Sequence, residues 1–417
     1  MLSDMSQPPR RPIPLLGEIR LGPRAARALT AELARHAGPK NCLLVAATAD
    51  SAVLTTALEG LLPNDTLTLV PLTGAADELR AHVASLGPWI AERVRVVDTL
   101  TEADPADVAI LAEVLSGSAE SARGYLDELG KHLAEGGVLS VAVLAGFDDA
   151  AEELGRQADF TGVGSDLVLR NVPPVRVHRL RFTQPRLAVT DRLAPAYRPS
   201  SVPLTRSMHI DSNGVAAAGI ALGLAAALRV SRPKSRLWLL PALAAVPVAA
   251  FFRDPNRDLP EHASAVVAAS DGHVLSVERL SDQRFGSPSD YLRIAVFLSV
   301  LDVHVNRSPV AGRVVDYFVE DGGFAPAMKP AAEHNVAAYT VLETAHGRVV
   351  VAQRTGLIAR RIVQRAPVGS LLARGERFGL IRFGSRTDVY LPADAAEPAV
   401  QKGDKVSGGA TVIARWR

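Results

Sequence analysis

The sequence holds a single cysteine, Cys42, among 417 residues. That excludes an intramolecular disulfide, and its apolar neighbours make it a core filler. A dominant charge sign is also lacking. Forty-six Lys and Arg face 44 Asp and Glu, for a formal net charge of +2. With no basic stripe interleaved with aromatics, no nucleic-acid partner is expected. Met1 to Pro14 is polar and proline-rich and has no apolar core of a signal peptide, so a cytoplasmic chain is expected unless something attaches it to a membrane. No group of His, Cys and carboxylates falls at metal-ligand spacing, and no metal is expected. What remains is an apolar, globular composition, 48% hydrophobic against 22% charged. The length exceeds one ordinary core and predicts two domains or more.

From Pro23 onward, helical and strand patterns alternate. Helices are predicted over 23–37, 51–61, 75–86 and 118–133, and strands over 42–48, 66–72, 94–97, 108–111 and 138–144. This order predicts an α/β, Rossmann-like domain over residues 1–190, with a mostly parallel sheet covered on both faces. With Leu133-Ala134-Glu135-Gly136-Gly137-Val138-Leu139 before the last strand, it resembles class I S-adenosylmethionine-dependent methyltransferases over about residues 20–190. The resemblance implies a glycine-rich turn after the first strand and a carboxylate ending the second. Here those places hold Ala46-Ala47-Thr48-Ala49-Asp50-Ser51 and Val70-Pro71-Leu72. A degenerate, structural or regulatory domain is therefore expected in preference to a working methyltransferase.

A proline-rich connector is predicted over 191–213, followed by an apolar helical hairpin over 214–252. Gly214 to Leu228 and Leu237 to Phe252 carry no charge, and Arg229, Arg232, Lys234 and Arg236 lie between them. At 1.5 Å per residue each apolar segment falls short of a ~30 Å hydrocarbon core. A hairpin dipping into one leaflet is expected, its basic loop, Arg253 and Arg257 meeting anionic headgroups. Two buried core helices, or two complete spans with flanking residues recruited, are the alternatives. Apolar residues run all round both segments, which favours lipid.

Residues 253–417 read as a β-rich domain. Strands are predicted over 265–269, 274–279, 292–298, 312–318, 336–343 and 348–354, parted by turns such as Asp271-Gly272 and His346-Gly347. Val400 to Gly409 resembles the hairpin of a biotinyl or lipoyl-type β-sandwich, but Met328-Lys329 is followed by Pro330, which disfavours a carrier lysine. Near the C-terminus, an apolar run leads into Phe383-Gly384-Ser385-Arg386. A serine hydroxyl after glycine can attack the preceding carbonyl, because glycine permits strained backbone. Elimination from the resulting ester breaks the chain and turns Ser385 into a pyruvoyl group. The hydroxyl needs a base, and His304 can be one. A carboxylate would orient that imidazole. Asp271 is one candidate, and Asp302, two residues away on the same strand face, is another.

Four motifs occur in series: Phe251-Phe252-Arg253-Asp254-Pro255, Ser270-Asp271-Gly272, Phe297 to Pro309 with His304-Val305-Asn306-Arg307-Ser308-Pro309, and Phe383-Gly384-Ser385-Arg386. Together they resemble the phosphatidylserine decarboxylases, of the shorter archaeal and bacterial type, over about residues 205–417. The resemblance implies a self-cleaving proenzyme cut between Gly384 and Ser385, with a pyruvoyl cofactor made from Ser385. A large β-chain and a small α-chain of residues 385–417 would follow. Phosphatidylserine would be converted to phosphatidylethanolamine and carbon dioxide. The triad would be Ser385, His304 and Asp271, with Asp302 in support. Asn335 matches a family asparagine, although Val336-Ala337 stand where the family has Glu-Arg. Arg360, Arg361, Arg382, Arg386 and Lys329 are candidates for the substrate phosphodiester. A membrane lipid is then a partner, a homo-oligomer is left open, and the expected place is the cytoplasmic face of the cell membrane, peripheral or monotopic. A non-catalytic membrane-anchored binding protein, and a bifunctional enzyme that also binds S-adenosylmethionine, are the alternatives.

Overall fold

The computed structural model describes residues 19–36, 38–146, 148–195, 201–286, 290–357, 361–382 and 385–417. Two compact units divide it, Met1–Pro199 and Ser200–Arg417.

In the first unit, seven strands form one sheet among the described residues. They are β1 (Asn41–Ala47), β2 (Thr66–Pro71), β3 (Val94–Val96), β4 (Ala106–Leu115), β5 (Leu133–Leu144), β6 (Gly162–Val168) and β7 (Val175–Leu180). Their order is β3-β2-β1-β4-β5-β7-β6. Strands β1 to β5 pair in parallel, and β7 runs antiparallel between β5 and β6. Consecutive side chains point to opposite faces, so the apolar run of β1 feeds two cores. Cys42 and Leu44 pack with Val53, Leu54 and Leu79. Leu43 and Val45 pack with Leu126, Leu129 and Leu154 on the other side. The Cys42 thiol is pushed up to about 12 by burial, as suits a core filler. Helices Pro23–Leu29, Ala52–Gly60, Ala76–Ser85, Pro88–Ala91, Ala119–Lys131 and Asp149–Thr161 are α1 to α6.

Strand order reverses beside β1, where open α/β sheets place their ligands. The turn there carries no glycine, and Ala46 itself sits at φ 59°. Ser51 Oγ accepts from Val53 N and caps α2.

The second unit begins inside the predicted connector. Met208–Ile210 (β9) pairs with Val202–Pro203 (β8) on one side and with Arg253–Pro255 (β10) on the other, and the three close the foot of a helical hairpin. Helix α7 spans Ser212–Ser231 and α8 spans Leu239–Phe251. Asp211 caps α7 through Asn213 N, and the helix continues past Arg229, so it is longer than its uncharged stretch. Its 20 residues reach ~30 Å. It is long and apolar enough to cross a membrane, and only 11% of its most apolar window is buried, unlike a core helix. Gly214 lets the helix meet Phe252 and Ile210, since a Cβ there would overlap both.

The remaining strands build the β-rich body. They are β11 (Ala265–Val267), β12 (Gly272–Ser281), β13 (Asp290–Leu298), β14 (Val305–Arg307), β15 (Gly312–Glu320), β16 (Ala337–Thr344), β17 (Gly347–Arg354), β18 (Ile362–Gln364), β19 (Leu371–Leu372), β20 (Arg377–Ile381), β21 (Ser385–Pro392), β22 (Ala396–Pro398), β23 (Lys405–Val406) and β24 (Val412–Trp416). The main sheet runs β19-β15-β16-β17-β21-β13-β12-β23, and β14-β20-β18 forms a smaller one beside it. Strand β21 is buried throughout because β13 and β17 flank it on both sides. Its Val389 and Leu391 enter the main core. Tyr390 faces Phe285, Tyr291 and Tyr339 on the other side.

Candidate active site

Ser385 is the first residue of β21, paired with Leu298 of β13. It is fully buried and its Oγ has no hydrogen-bond partner. Alternation along the strand puts Thr387 on the same face, where its hydroxyl meets Ser270 Oγ at 2.6 Å. Gln353 of β17, opposite Thr387, donates to Asn306 Oδ1 at 2.7 Å. Ser270, Asn306, Gln353, Thr387 and Ser385 thus form a buried polar patch in an apolar body. Arg386 points the other way and bonds Asp388 at 2.6 Å. Arg354 bonds the same carboxylate at 2.8 Å.

His304 stands just before β14 and is buried. Its main-chain oxygen accepts from Ile381 N of β20, so the chain entering the Gly384-Ser385 region and the imidazole share one support. Nδ1 lies 2.8 Å from the main-chain oxygen of Asp302. A carbonyl can only accept, so Nδ1 carries the proton and Nε2 has the lone pair. Burial pushes the ring down to about 4, against the carbonyl and charge of Asp302. The imidazole is therefore neutral at physiological pH.

The predicted carboxylates have other partners. Asp302 accepts from Ser299 N and Oγ and closes the turn before His304. Asp271 accepts from Gly408 N and pairs with Arg257, both at 2.8 Å. The group at Nδ1 is a peptide carbonyl where a carboxylate was expected. Asp271 nonetheless adjoins the site. It follows Ser270, and Gly272 after it sits at φ 146°, where a Cβ would strike the Phe297 carbonyl of β13.

Asn335 is saturated by main chain: its Oδ1 accepts from Ala325 N, and its Nδ2 donates to Ala325 O and Thr355 O. Among the cations, Arg382 donates to Asn213 Oδ1 at 2.6 Å, and its amide bonds Arg361 O. Arg361 and Lys329 are exposed. Gly384 and Arg360 lie outside the described residues. Among the described residues no group of three or more His, Cys, Asp or Glu suits a metal. Sequence reasoning gave Arg257 to lipid headgroups and Gly408 to a hairpin and passed over Gln353; Arg257 and Gly408 meet Asp271, and Gln353 meets Asn306, through contacts distant in sequence. It quoted Phe251 without giving it a task, yet that ring lies 4.3 Å from His304 between centroids.

The family model described as phosphatidylserine decarboxylase matches residues 246–414. Phosphatidylserine decarboxylase proenzymes align to the same half. That of Carboxydothermus hydrogenoformans is 42% identical over 180 residues, 43% of this chain and 84% of the relative. That of Symbiobacterium thermophilum is 49% identical over 167 residues, 40% and 77%. That of Thermobifida fusca is 44% identical over 187 residues, 45% and 82%. Solved structures similar to this chain include a precorrin-6y C5,15-methyltransferase of Geobacter metallireducens, at 14% identity over 38% of this chain and 87% of that one, with a TM-score of 0.29. An O-methyltransferase of Bacillus cereus gives 12%, 38%, 80% and 0.29. The relatives make this chain an enzyme, a decarboxylase. It belongs to the phosphatidylserine decarboxylase family.

Proposed function

We propose that the chain is a proenzyme that cuts itself between Gly384 and Ser385, then converts phosphatidylserine to phosphatidylethanolamine and carbon dioxide at a pyruvoyl group made from Ser385. The supporting observation is the Ser385 hydroxyl, buried at a strand start without a partner. A hydroxyl left so is costly unless it has a reaction to perform. Ser385 Oγ attacks the Gly384 carbonyl carbon while His304 Nε2 takes its proton. The peptide C–N bond breaks to leave an ester and a free amine. Loss of the Ser385 Cα proton with cleavage of Cβ–Oγ frees the Gly384 carboxylate. Water then replaces the nitrogen, ammonia departs, and a ketone caps residues 385–417.

The orphaned hydroxyl, the neutral imidazole and the dry surroundings fit such a group. Once formed, it supplies an electrophile that takes the substrate amine and draws electrons as carbon dioxide leaves. Asp302 holds the His304 tautomer through its carbonyl, and Asp271, anchored by Arg257, adjoins the site. Asp271 remains proposed as the triad carboxylate and Asp302 as its support. Arg361 and Arg382, with Arg360, are proposed for the phosphodiester, and the buried Arg386 and exposed Lys329 stand further down that ranking. The hairpin is proposed to set the site at a membrane, and the length and apolar composition of α7 support this. A place at the cytoplasmic face, and the assignment of residues 1–190 as a degenerate methyltransferase-like domain, are proposals of the same kind.

Ser385→Ala is expected to leave one unbroken polypeptide with no decarboxylase activity, and His304→Ala to cleave at least ~100-fold more slowly. Intact-mass measurement and analysis of the smaller fragment after reductive amination check both. A Ser385→Ala chain that still splits at 384/385 would overturn the reading.

A further inference from the structure

The root of the hairpin reaches the reacting groups from both ends. At the end of α8, Phe251 packs its ring on His304, centroids 4.3 Å apart and planes tilted by 39°. Phe252 meets Phe251 edge-on at 5.0 Å, and both cluster with Ile210 of β9 and Leu380 of β20. At the start of α7, Asp211 forms a two-pronged pair with Arg365, at 2.5 and 2.8 Å. Two residues on, Asn213 Oδ1 accepts from Arg382 at 2.6 Å. Arg382 continues β20 toward Ser385, and Ile381 beside it bonds the His304 carbonyl. The base is therefore fastened at the end of α8, and the incoming chain at the start of α7 through Arg382 and at the end of α8 through Leu380. A membrane anchor alone would need neither contact.

We propose that Phe251 is a positioning residue for self-cleavage: it holds the His304 ring in a dry place while Asn213, through Arg382, holds the chain that delivers Ser385. The proposal rests on the reading of Ser385 and His304 as nucleophile and base. The ring has two tasks. It packs on the plane of an imidazole that Asp302 holds at the Nδ1 edge, and it keeps water from His304. The charged groups acting on His304 are Asp302, which favours its protonation, and Arg253, which opposes it. Neither is altered by removing Phe251. Water admitted in place of the ring brings the imidazole back toward its ordinary range near 6.5.

The test follows self-cleavage of the full chain from pH 4 to 8 for wild type, Phe251→Leu, Phe251→Tyr and Asn213→Ala. Wild type is expected to reach its plateau by pH 5. Phe251→Leu is expected to plateau ~10- to 100-fold lower, as for a misplaced base. Its acid limb should also move upward, so that at pH 5 it runs up to ~30-fold below its own plateau. Phe251→Tyr keeps the ring and restores the wild-type profile. Asn213→Ala slows cleavage without moving the limb. The His304 titration midpoint, read by NMR in uncleaved Ser385→Ala with and without Phe251→Leu, reports the same shift without needing turnover. Wild-type cleavage with Phe251→Leu unchanged in rate and midpoint overturns the proposal. If Phe251→Leu does not fold, Asn213→Ala decides: a wild-type rate there also overturns it. A wild-type chain that never cleaves would instead sink the reading of Ser385.

Discussion

A neutral histidine with a pKa near 4 is a weak base, which would suit the proposed self-cleavage, performed once by each molecule. It also has a thermodynamic consequence. Burial holds the folded pKa of His304 at about 4, below its ordinary 6.5. Its contribution to stability is therefore complete above about pH 6.5 and is lost as the pH falls toward 4, because only the unfolded chain takes up the proton freely. The loss approaches ~3 kcal/mol below pH 4. In Ser385→Ala, replacing His304 with Gln is expected to reduce the drop in unfolding free energy between pH 7 and pH 4.5, measured with urea. His178 of the first unit is likewise pushed down to about 4 by burial and imposes its own acid sensitivity there, so each unit must be followed with its own probe. A His304→Gln chain with an undiminished drop in the second unit would mean that the imidazole is solvated. Ser385→Ala itself removes a hydroxyl that has no partner, so its melting temperature should be no lower than that of the cleaved wild type.

Two elements carry the consequences of cleavage. Strand β21 pairs with β13 from Ser385 to Pro392 and with β17 from Arg386 to Tyr390. A cut just before Ser385 leaves both ladders intact, and the two chains should separate on a denaturing gel but migrate together under native conditions. Two chains that part in native buffer would contradict this. The second element is the hairpin. Leu240, Leu243 and Val246 of α8 are 69%, 70% and 73% exposed, and Ile220 and Val230 of α7 are similarly bare. Burying each aliphatic side chain in lipid is worth roughly 1.5–3 kcal/mol. Replacing Leu240, Leu243 and Val246 with Ser should weaken co-sedimentation with anionic vesicles by more than ~100-fold, and self-cleavage should persist because none of the three belongs to the root. Unchanged vesicle binding would argue against the hairpin as anchor.

On the scale of the molecule, the chain joins an α/β unit to a β-rich unit that holds the residues proposed for the reaction. The first unit keeps the strand reversal where such sheets bind ligands, but the turn after β1 has no glycine and β2 ends in Pro71. Without an open backbone cradle or a carboxylate for ribose hydroxyls, S-adenosylmethionine is expected to give no heat in calorimetry at millimolar ligand. Saturable heat would restore the bifunctional alternative.

Much of this was legible along the chain. The apolar run of Asn41–Ala47 predicts a strand buried on both faces, and β1 lies within a residue of its expected bounds. The hairpin declared itself by composition, and the four motifs pointed to Ser385, His304 and the family. Elements with weak local signals were missed. β6 is an edge strand with a half-exposed Gly-Val-Gly-Ser pattern and no strong period, whereas α6, with Ala150, Glu153 and Leu154 buried at helical spacing, carries a clear one and was passed over. What only the tertiary structure decided is who touches whom. Asp271 meets Arg257 and Gly408, the carbonyl of Asp302 orients His304, and Phe251 covers it. Periodicity records which way a side chain faces along its own element. Partners far away in sequence are chosen by packing, which no local pattern contains.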